Sequence, residues 1–311
     1  MKKHPRILMA IDGSEQAFAA ACYLGKVISK QSEIVLFHVV AEALEAFSDL
    51  SADPLAEREN YPLSVWKTDQ EEIIHEFMTV ASDILIASGF PKEAISVKTQ
   101  AMRSGIARDI LNESHQDYSA LVVGRTGISK IEDITLGSVA AKLVEGVSHL
   151  PVGVVGDRPD SKKILIAFDG SKGSMKAVRC VGALFDPAVC KLILCHVIRP
   201  LKTQQLSAKQ LFIPKHEADW IKANQRKIVP AISETNSRLM DAGFPPGSLS
   251  IEILTYQKSR AAAIAKAARD SGCDTIVFGR RGFTSVENSS IGRVSRKIIH
   301  FAYQPVLWIV N

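Results

Sequence analysis

The sequence repeats itself almost in full. The run from Arg6 to Glu15 (RILMAIDGSE) returns as Lys163 to Lys172 (KILIAFDGSK), and Ile34 to Val40 (IVLFHVV) returns as Leu192 to Ile198 (LILCHVI). Ser88-Gly-Phe-Pro-Lys92 has a counterpart in Ala242-Gly-Phe-Pro-Pro246, and Leu121-VVGRTG-Ile128 in Ile276-VFGRRG-Phe283. Leu150-Pro-Val-Gly-Val-Val155 reappears as Gln304-PVLWI-Val310. The separations agree as well, with 112 positions from Asp12 to Gly124 and 110 from Asp169 to Gly279. Matches in one order over such a span mean duplication of a whole domain, not a short solenoid repeat. At 311 residues the chain has room for two domains, expected at 1–156 and 162–311. The polar stretch Gly156–Lys162 (GDRPDSK), which holds a proline, reads as the join.

Within each copy, short apolar runs alternate with helical patterns. Ile7–Ile11, Ile34–Val40, Ile95–Thr99, Leu121–Val123 and Val152–Val155 have strand length and are rich in β-branched residues. The second copy's strands are expected to begin near Ile164, Leu192, Leu249, Thr275 and Val306. Between strands, Ile73, Ile74, Phe77, Met78, Ala81, Ile84 and Leu85 follow the spacing of an amphipathic helix, stopped by Gly89 and Pro91. Ser14 and Ser104 stand where N-caps belong. Alternation of this kind predicts an α/β fold of two tandem doubly wound domains with parallel strands and right-handed crossovers. The strands are apolar at consecutive positions because helices cover both sheet faces. Glu42–Leu63 and Pro200–Ile213 lack periodicity and are expected to be loops.

Composition excludes several classes. With 46% hydrophobic and 23% charged residues the chain is core-forming, neither collagen-like nor disordered. Five cysteines, none in a CxxC pair, do not make a disulfide framework, which suits a reducing compartment. Cys22 and Cys180 read as core residues of the first helix in each copy. The N-terminal apolar run stops at Asp12, too short for a secretory signal core, and no run is long enough to span a membrane. A soluble, cytoplasmic protein without a membrane partner is expected. Residues 1–156 carry a net charge of −7 and residues 157–311 one of +12, which suits mutual attraction of the halves or an anionic ligand on the second. The Lys222–Lys227 run (KANQRK) lacks aromatic interleaving and reads as a solvated helix face, so nucleic acid is not an expected partner.

Chemistry concentrates where strands end. In a doubly wound sheet, ligands bind beyond the carboxyl ends of the strands, at the point where strand order reverses. Asp12-Gly13-Ser14 follows strand one and Gly124-Arg125-Thr126-Gly127 follows strand four, with Gly137-Ser138 nine residues beyond opening the last helix. Glycines there let backbone N–H groups approach phosphate oxygens, and a helix start adds free N–H groups and a favourable dipole. The second copy has Gly279, Gly282 and Gly292 in the same G-x2-G-x9-G spacing. His38 and His196 end strand two with no HxH or HxxxH partner, so a structural or pocket-edge role is expected over metal ligation. The chain has no Walker A motif, Rossmann GxGxxG, GxSxG elbow or HExxH motif, and no nucleophile stands paired with a base. No catalytic residue and no protein-held metal site are assigned.

On these residues the chain resembles the universal stress protein family in a tandem two-domain form. The Asp-Gly-Ser turn, the His-Val ending strand two, the G-x2-G-x9-G-[ST] signature and the Pro-Val opening strand five carry the likeness, which covers nearly all of residues 5–310. The resemblance implies strand order 3-2-1-4-5 and, in one branch of the family, binding of ATP or of AMP or ADP. By that likeness Asp12 contacts the nucleoside end, main chain near Ile11 and Val39 flanks the adenine, and Gly124, Arg125, Gly127, Gly137, Ser138 and Val139 hold ribose and phosphates, with Mg²⁺ or Mn²⁺ carried by the phosphates. It also implies pairing through strand five, hence an internal pseudo-dimer of the two copies, with a homodimer as a further form.

The second copy keeps Asp169, Val197, Gly279, Gly282, Gly292, Val294 and Ser295 but has Arg293 where Ser or Thr is usual. A guanidinium there either clamps a phosphate or fills its space. With Arg280, Arg281, Arg296 and Lys297 close in sequence, the second site is expected to be altered, preferring a more anionic ligand, or empty. The expected function is adenine-nucleotide binding with a regulatory or sensing role in the stress response and at most slow ATP hydrolysis. A metal-dependent nucleotide hydrolase or transferase, and a non-binding scaffold with vestigial pockets, remain the alternatives.

Overall fold

A computed structural model describes residues 4–41, 63–127, 136–156, 159–200, 214–283, 291–301 and 306–311. The chain divides into two compact units, Met1–Arg158 and Pro159–Asn311. Unit 1 runs β1 (Arg6–Ala10), α1 (Glu15–Val27), β2 (Glu33–Val40), α2 (Leu63–Ala87), β3 (Ile95–Ala101), α3 (Ile106–Glu113), β4 (Ala120–Gly124), α4 (Ser138–Gly146) and β5 (Val152–Val155). Its strands are all parallel, in the order β3-β2-β1-β4-β5. Unit 2 runs β6 (Lys163–Ala167), α5 (Lys172–Leu184), β7 (Lys191–Val197), α6 (Pro214–Asp241), β8 (Leu249–Leu254), α7 (Arg260–Asp270), β9 (Thr275–Gly279), α8 (Arg293–Phe301) and β10 (Val306–Val310). It repeats the arrangement as β8-β7-β6-β9-β10, again parallel. The α/β class and the 3-2-1-4-5 order therefore hold in each unit.

The central strands are buried on both faces. Ile7, Leu8 and Met9 of β1 and Ile164, Leu165 and Ile166 of β6 are wholly inaccessible, as consecutive apolar residues covered by helices on both sides must be. Edge strand β3 is mostly exposed instead. It is tied to α3 through Glu113, whose Oε2 takes Lys98 Nζ at 2.7 Å while its Oε1 accepts from the Tyr118 hydroxyl at 2.6 Å. In unit 2, Trp308 of β10 is fully buried and meets Phe185 edge-on at 5.4 Å, an interaction of the kind whose truncation costs about 3–5 kcal/mol.

Three local expectations are corrected. Cys22 is exposed rather than core: on α1 it lies on the outward stripe with Glu15, Phe18 and Lys26, while Ala21, Tyr23 and Leu24 turn inward. On α2 the buried stripe is Ile74, Phe77, Met78, Ala81 and Leu85, whereas Ile73 is 61% exposed. Helix α3 is capped by Gly105 at φ 108°, not by Ser104. Buried Asp109 reaches back from within the helix and accepts from the backbone N–H groups of Arg103 at 2.7 Å and Ser104 at 3.2 Å, tying the approach to the helix onto its first turn. The loops expected at Glu42–Leu63 and Pro200–Ile213 lie almost wholly outside the described residues, although Leu63 already opens α2.

Candidate functional site

The strand order reverses between β1 and β4, so their carboxyl ends flank a crevice, and the same holds for β6 and β9. The turn after β1 is built by its own residues. Gly13 adopts φ 78°, a conformation open to glycine, and Phe77 of α2 packs over it so closely that a Cβ there would meet the ring at 2.9 Å. Asp12 Oδ1 accepts from Ser14 N at 3.0 Å, and Ser14 Oγ in turn caps Ala17 N at 3.2 Å. Unit 2 repeats the turn and both hydrogen bonds, with Ile228 in the place of Phe77: Gly170 has φ 79°, Asp169 Oδ1 takes Ser171 N at 3.0 Å, and Ser171 Oγ takes Ser174 N at 3.2 Å.

The second oxygen of each aspartate faces the glycine loop of the neighbouring strand. A Cβ on Gly127 would stand 2.8 Å from Asp12 Oδ2, and one on Gly282 would stand 2.7 Å from Asp169 Oδ2. Each loop is clamped by the same backbone bonds. Arg125 N donates to Val155 O at 2.6 Å and Gly137 N to Arg125 O at 2.8 Å; Arg280 N donates to Val310 O at 2.6 Å and Gly292 N to Arg280 O at 2.9 Å. Gly137 is the N-cap of α4 and supplies no side-chain cap, so the first N–H groups of that helix, at Ser138 and Val139, have no capping side chain. A Cβ on Gly137 would meet Thr126 Cα at 3.2 Å, so the loop packs tightly against the start of α4. Asp12, Gly124, Gly127, Gly137 and Ser138 thus come to one crevice end. Residues 128–135 and 284–290, which complete the loops, lie outside the described residues.

Ile11 and Val39 in unit 1 and Val197 in unit 2 are buried. Both main-chain groups of Ile11 are engaged, its N–H with Phe37 O at 3.0 Å and its carbonyl with His38 Nδ1 at 2.7 Å. Since a carbonyl only accepts, His38 carries its proton on Nδ1. His196 does the same with Phe168 O at 2.9 Å. Burial lowers both histidine pKa values, against the carbonyl bonds and the charges of Asp12 and Asp169, which raise them. Both histidines thus buttress the crevice edge. Among the described residues, no group of three His, Cys, Asp or Glu side chains is placed to hold a metal ion.

Unit 2 differs in its side chains. Arg293, the first residue of α8, is exposed in the place of Ser138, beside half-buried Val294. Ser295 Oγ is turned to Gly279 O at 2.8 Å, joining α8 to the end of β9. Arg280 does not add to the basic rim: it is only 5% exposed and its Nη1 donates to Asn311 Oδ1 at 2.9 Å. Sequence reading also missed Gln16, a buried side chain whose Oε1 accepts from Thr126 N inside the unit 1 loop. Its counterpart is Gly173, where a Cβ would lie 1.9 Å from Arg281 O, so backbone packs directly where unit 1 uses an amide side chain. A glutamine at a buried helical position, replaced by glycine in the repeat, was the available signal.

Fold and site together define a tandem doubly wound α/β protein with a glycine-lined crevice at the carboxyl ends of each sheet's central strands. The universal stress protein family matches residues 4–156 and again 161–309, and the chain belongs to that family. The universal stress protein YxiE of Bacillus subtilis (strain 168) is 26% identical over 147 residues, covering 47% of this chain and 96% of that protein. Among solved structures, a universal stress protein from Archaeoglobus fulgidus DSM 4304 has a TM-score of 0.57 at 18% identity, covering 98% of both chains. A putative universal stress protein from Pseudomonas aeruginosa UCBPP-PA14 has a TM-score of 0.56 at 16% identity, covering 99% of this chain and 93% of that one. Among the described residues, no helix is long and apolar enough to cross a membrane.

Proposed function

We propose that unit 1 binds an adenine nucleotide and that the protein uses this binding in a sensing or regulatory role in the stress response. The observation that carries the reading is the pairing of Asp12 Oδ2 with the Gly127 position, beside the first turn of α4, whose N-cap Gly137 supplies no side-chain bond. One carboxylate oriented by Ser14 N suits a ribose hydroxyl, and a glycine loop leading to helix N–H groups that the N-cap does not bond suits a phosphate chain. The choice of adenine rests on the family resemblance. Asp12, Gly124, Arg125, Gly127, Gly137, Ser138 and Val139 would hold the nucleotide, with Ile11 and Val39 as walls, and Mg²⁺ or Mn²⁺ would travel with the phosphates. These groups bind and orient; fast phosphoryl transfer also needs a placed nucleophile and a charge clamp, so turnover is expected to be slow. In unit 2, Asp169, Val197, Gly279, Gly282, Gly292, Arg293, Val294 and Ser295 would frame an altered site.

Calorimetric titration of the full chain with MgATP tests the reading. Asp12→Ala is expected to weaken the unit 1 site by about tenfold or more, as loss of a charge-assisted contact does. An unchanged isotherm in that variant contradicts it.

A further inference from the structure

Unit 2 carries two arginines where unit 1 has no charge. Arg199 lies two residues beyond β7, and Arg260 is the first residue of α7, which follows β8. The register of β2 with β3 and of β7 with β8 aligns Arg260 with Ile106, the first residue of α3, and Arg199 with Ala41. Asp169 lies two residues beyond the neighbouring strand β6, so all three charges follow the carboxyl ends of adjacent strands. They sense one another. Partial burial and the charge of Arg199 lower the Arg260 pKa, with Asp169 opposing, and Arg260 in turn disfavours the charged form of His196.

Among the described residues the two arginines are not neutralised. The Nε of Arg199 is buried with no hydrogen-bond partner among the described residues, and among those residues neither Arg199 nor Arg260 closes a salt bridge. The segment bearing Arg199 is held in place by Trp220, whose Nε1 donates to the Arg199 carbonyl at 3.2 Å. One aspartate among two guanidinium groups leaves surplus positive charge, and holding like charges together partly out of water is unfavourable unless an anion joins them. Guanidinium forks match phosphate oxygens in geometry as well as charge. Nearby in sequence, Tyr256 is the only non-glycine residue at positive φ (58°) among the described residues, and its ring is exposed. Left-handed backbone at a bulky residue is strain of the kind that clusters at ligand sites.

We propose that unit 2 holds a phosphate-class anion between Arg199 and Arg260, on the β7–β8 side of Asp169, away from the glycine loop that follows β9. The inference rests on the carboxyl-end crevice being a ligand site, as read above, but not on the ligand being an adenine nucleotide. It assigns the two units different ligands: unit 1 takes charge at its glycine loop, whereas unit 2 grips charge at the opposite end.

The test is calorimetric titration of the full-length chain with inorganic pyrophosphate and, separately, with MgATP. Wild type is expected to show a pyrophosphate site that weakens by about tenfold or more in Arg199→Gln/Arg260→Gln, while the MgATP site that Asp12→Ala weakens is unchanged. The single variants Arg199→Gln and Arg260→Gln are each expected to weaken pyrophosphate severalfold, which keeps the test independent of whether the double variant folds. Wild-type pyrophosphate affinity in these variants, or no pyrophosphate site in the wild type, overturns the proposal. Pyrophosphate binding that needs both arginines in a chain indifferent to ATP upholds this site and overturns the adenine reading of unit 1.

Discussion

Asp12 Oδ2 lies 2.8 Å from the position a Cβ would take on Gly127, and Asp169 Oδ2 stands in the same relation to Gly282 at 2.7 Å. The carboxylate cannot simply swing away, because its other oxygen is bonded to Ser14 N at 3.0 Å. Gly127 has no left-handed backbone to protect, so alanine meets one obstacle, the aspartate. Gly127→Ala is therefore expected to lower MgATP affinity by about tenfold or more while changing stability by less than about 1 kcal/mol. Titration and thermal unfolding of one preparation check both halves. Affinity equal to wild type would remove Gly127 from the site.

The two units fasten their glycine loops differently, and the difference predicts unequal costs. At Gly173 the obstructing atom is the backbone carbonyl of Arg281, 1.9 Å from a Cβ, and backbone cannot rotate aside. Gly173→Ala is expected to destabilise by about 3 kcal/mol or more, at the upper end of overpacking. Gln16→Ala instead leaves the Thr126 N–H without the Gln16 Oε1 acceptor in a buried loop, a cost of about 1–3 kcal/mol. Urea unfolding of the two variants checks the order; a harmless Gly173→Ala would refute the packing described for unit 2.

Acid should weaken the fold through His38 and His196. Burial lowers both pKa values below the ordinary 6.5, so as pH falls through that value the unfolded chain takes up protons before the folded one. Their contribution is complete above about pH 6.5 and is lost progressively below it, down to the folded-state pKa values. Thermal unfolding is expected to show a melting temperature that drops between pH 7.5 and 5.5. The drop should be smaller in His38→Gln, which keeps a donor toward Ile11 O without titrating. An equal drop in that variant would exclude His38 as a source.

Thiol chemistry should single out one cysteine. Burial raises the Cys180 and Cys195 thiols to about 12 and Cys273 to about 11, and Cys190 is equally enclosed. Cys22 alone is exposed. Iodoacetamide at pH 8 is expected to label Cys22 rapidly and the others only after denaturation, since reaction requires an accessible thiolate. Peptide mapping that finds Cys180 modified as fast as Cys22 would contradict the burial of α5.

Backbone periodicity made much of this legible. Runs such as Ile7–Ile11 and Ile164–Ala167 announce strands covered on both faces, and the repeated Asp-Gly-Ser and G-x2-G signals fall where the sheet places a crevice. Single-residue facing was less legible. Cys22 and Ile73 have apolar neighbours in sequence yet sit on the outward stripes of α1 and α2, because the width of a helix's buried face is set by what packs on it. Ser104 looked like a cap because serine is the usual capping residue, but the cap falls one residue later, at Gly105, and Ser104 is instead bonded through its N–H to Asp109. Arg199 and Arg260 carried no motif, being 61 positions apart and joined only when β7 and β8 pair.

The most direct measurement is amide hydrogen exchange with and without MgATP, resolved at the start of α4. Binding of the phosphate chain by this cradle predicts slowed exchange at Ser138 and Val139 on nucleotide addition, lost in Asp12→Ala. Unchanged exchange at those amides under saturating MgATP would contradict nucleotide binding in the crevice of unit 1.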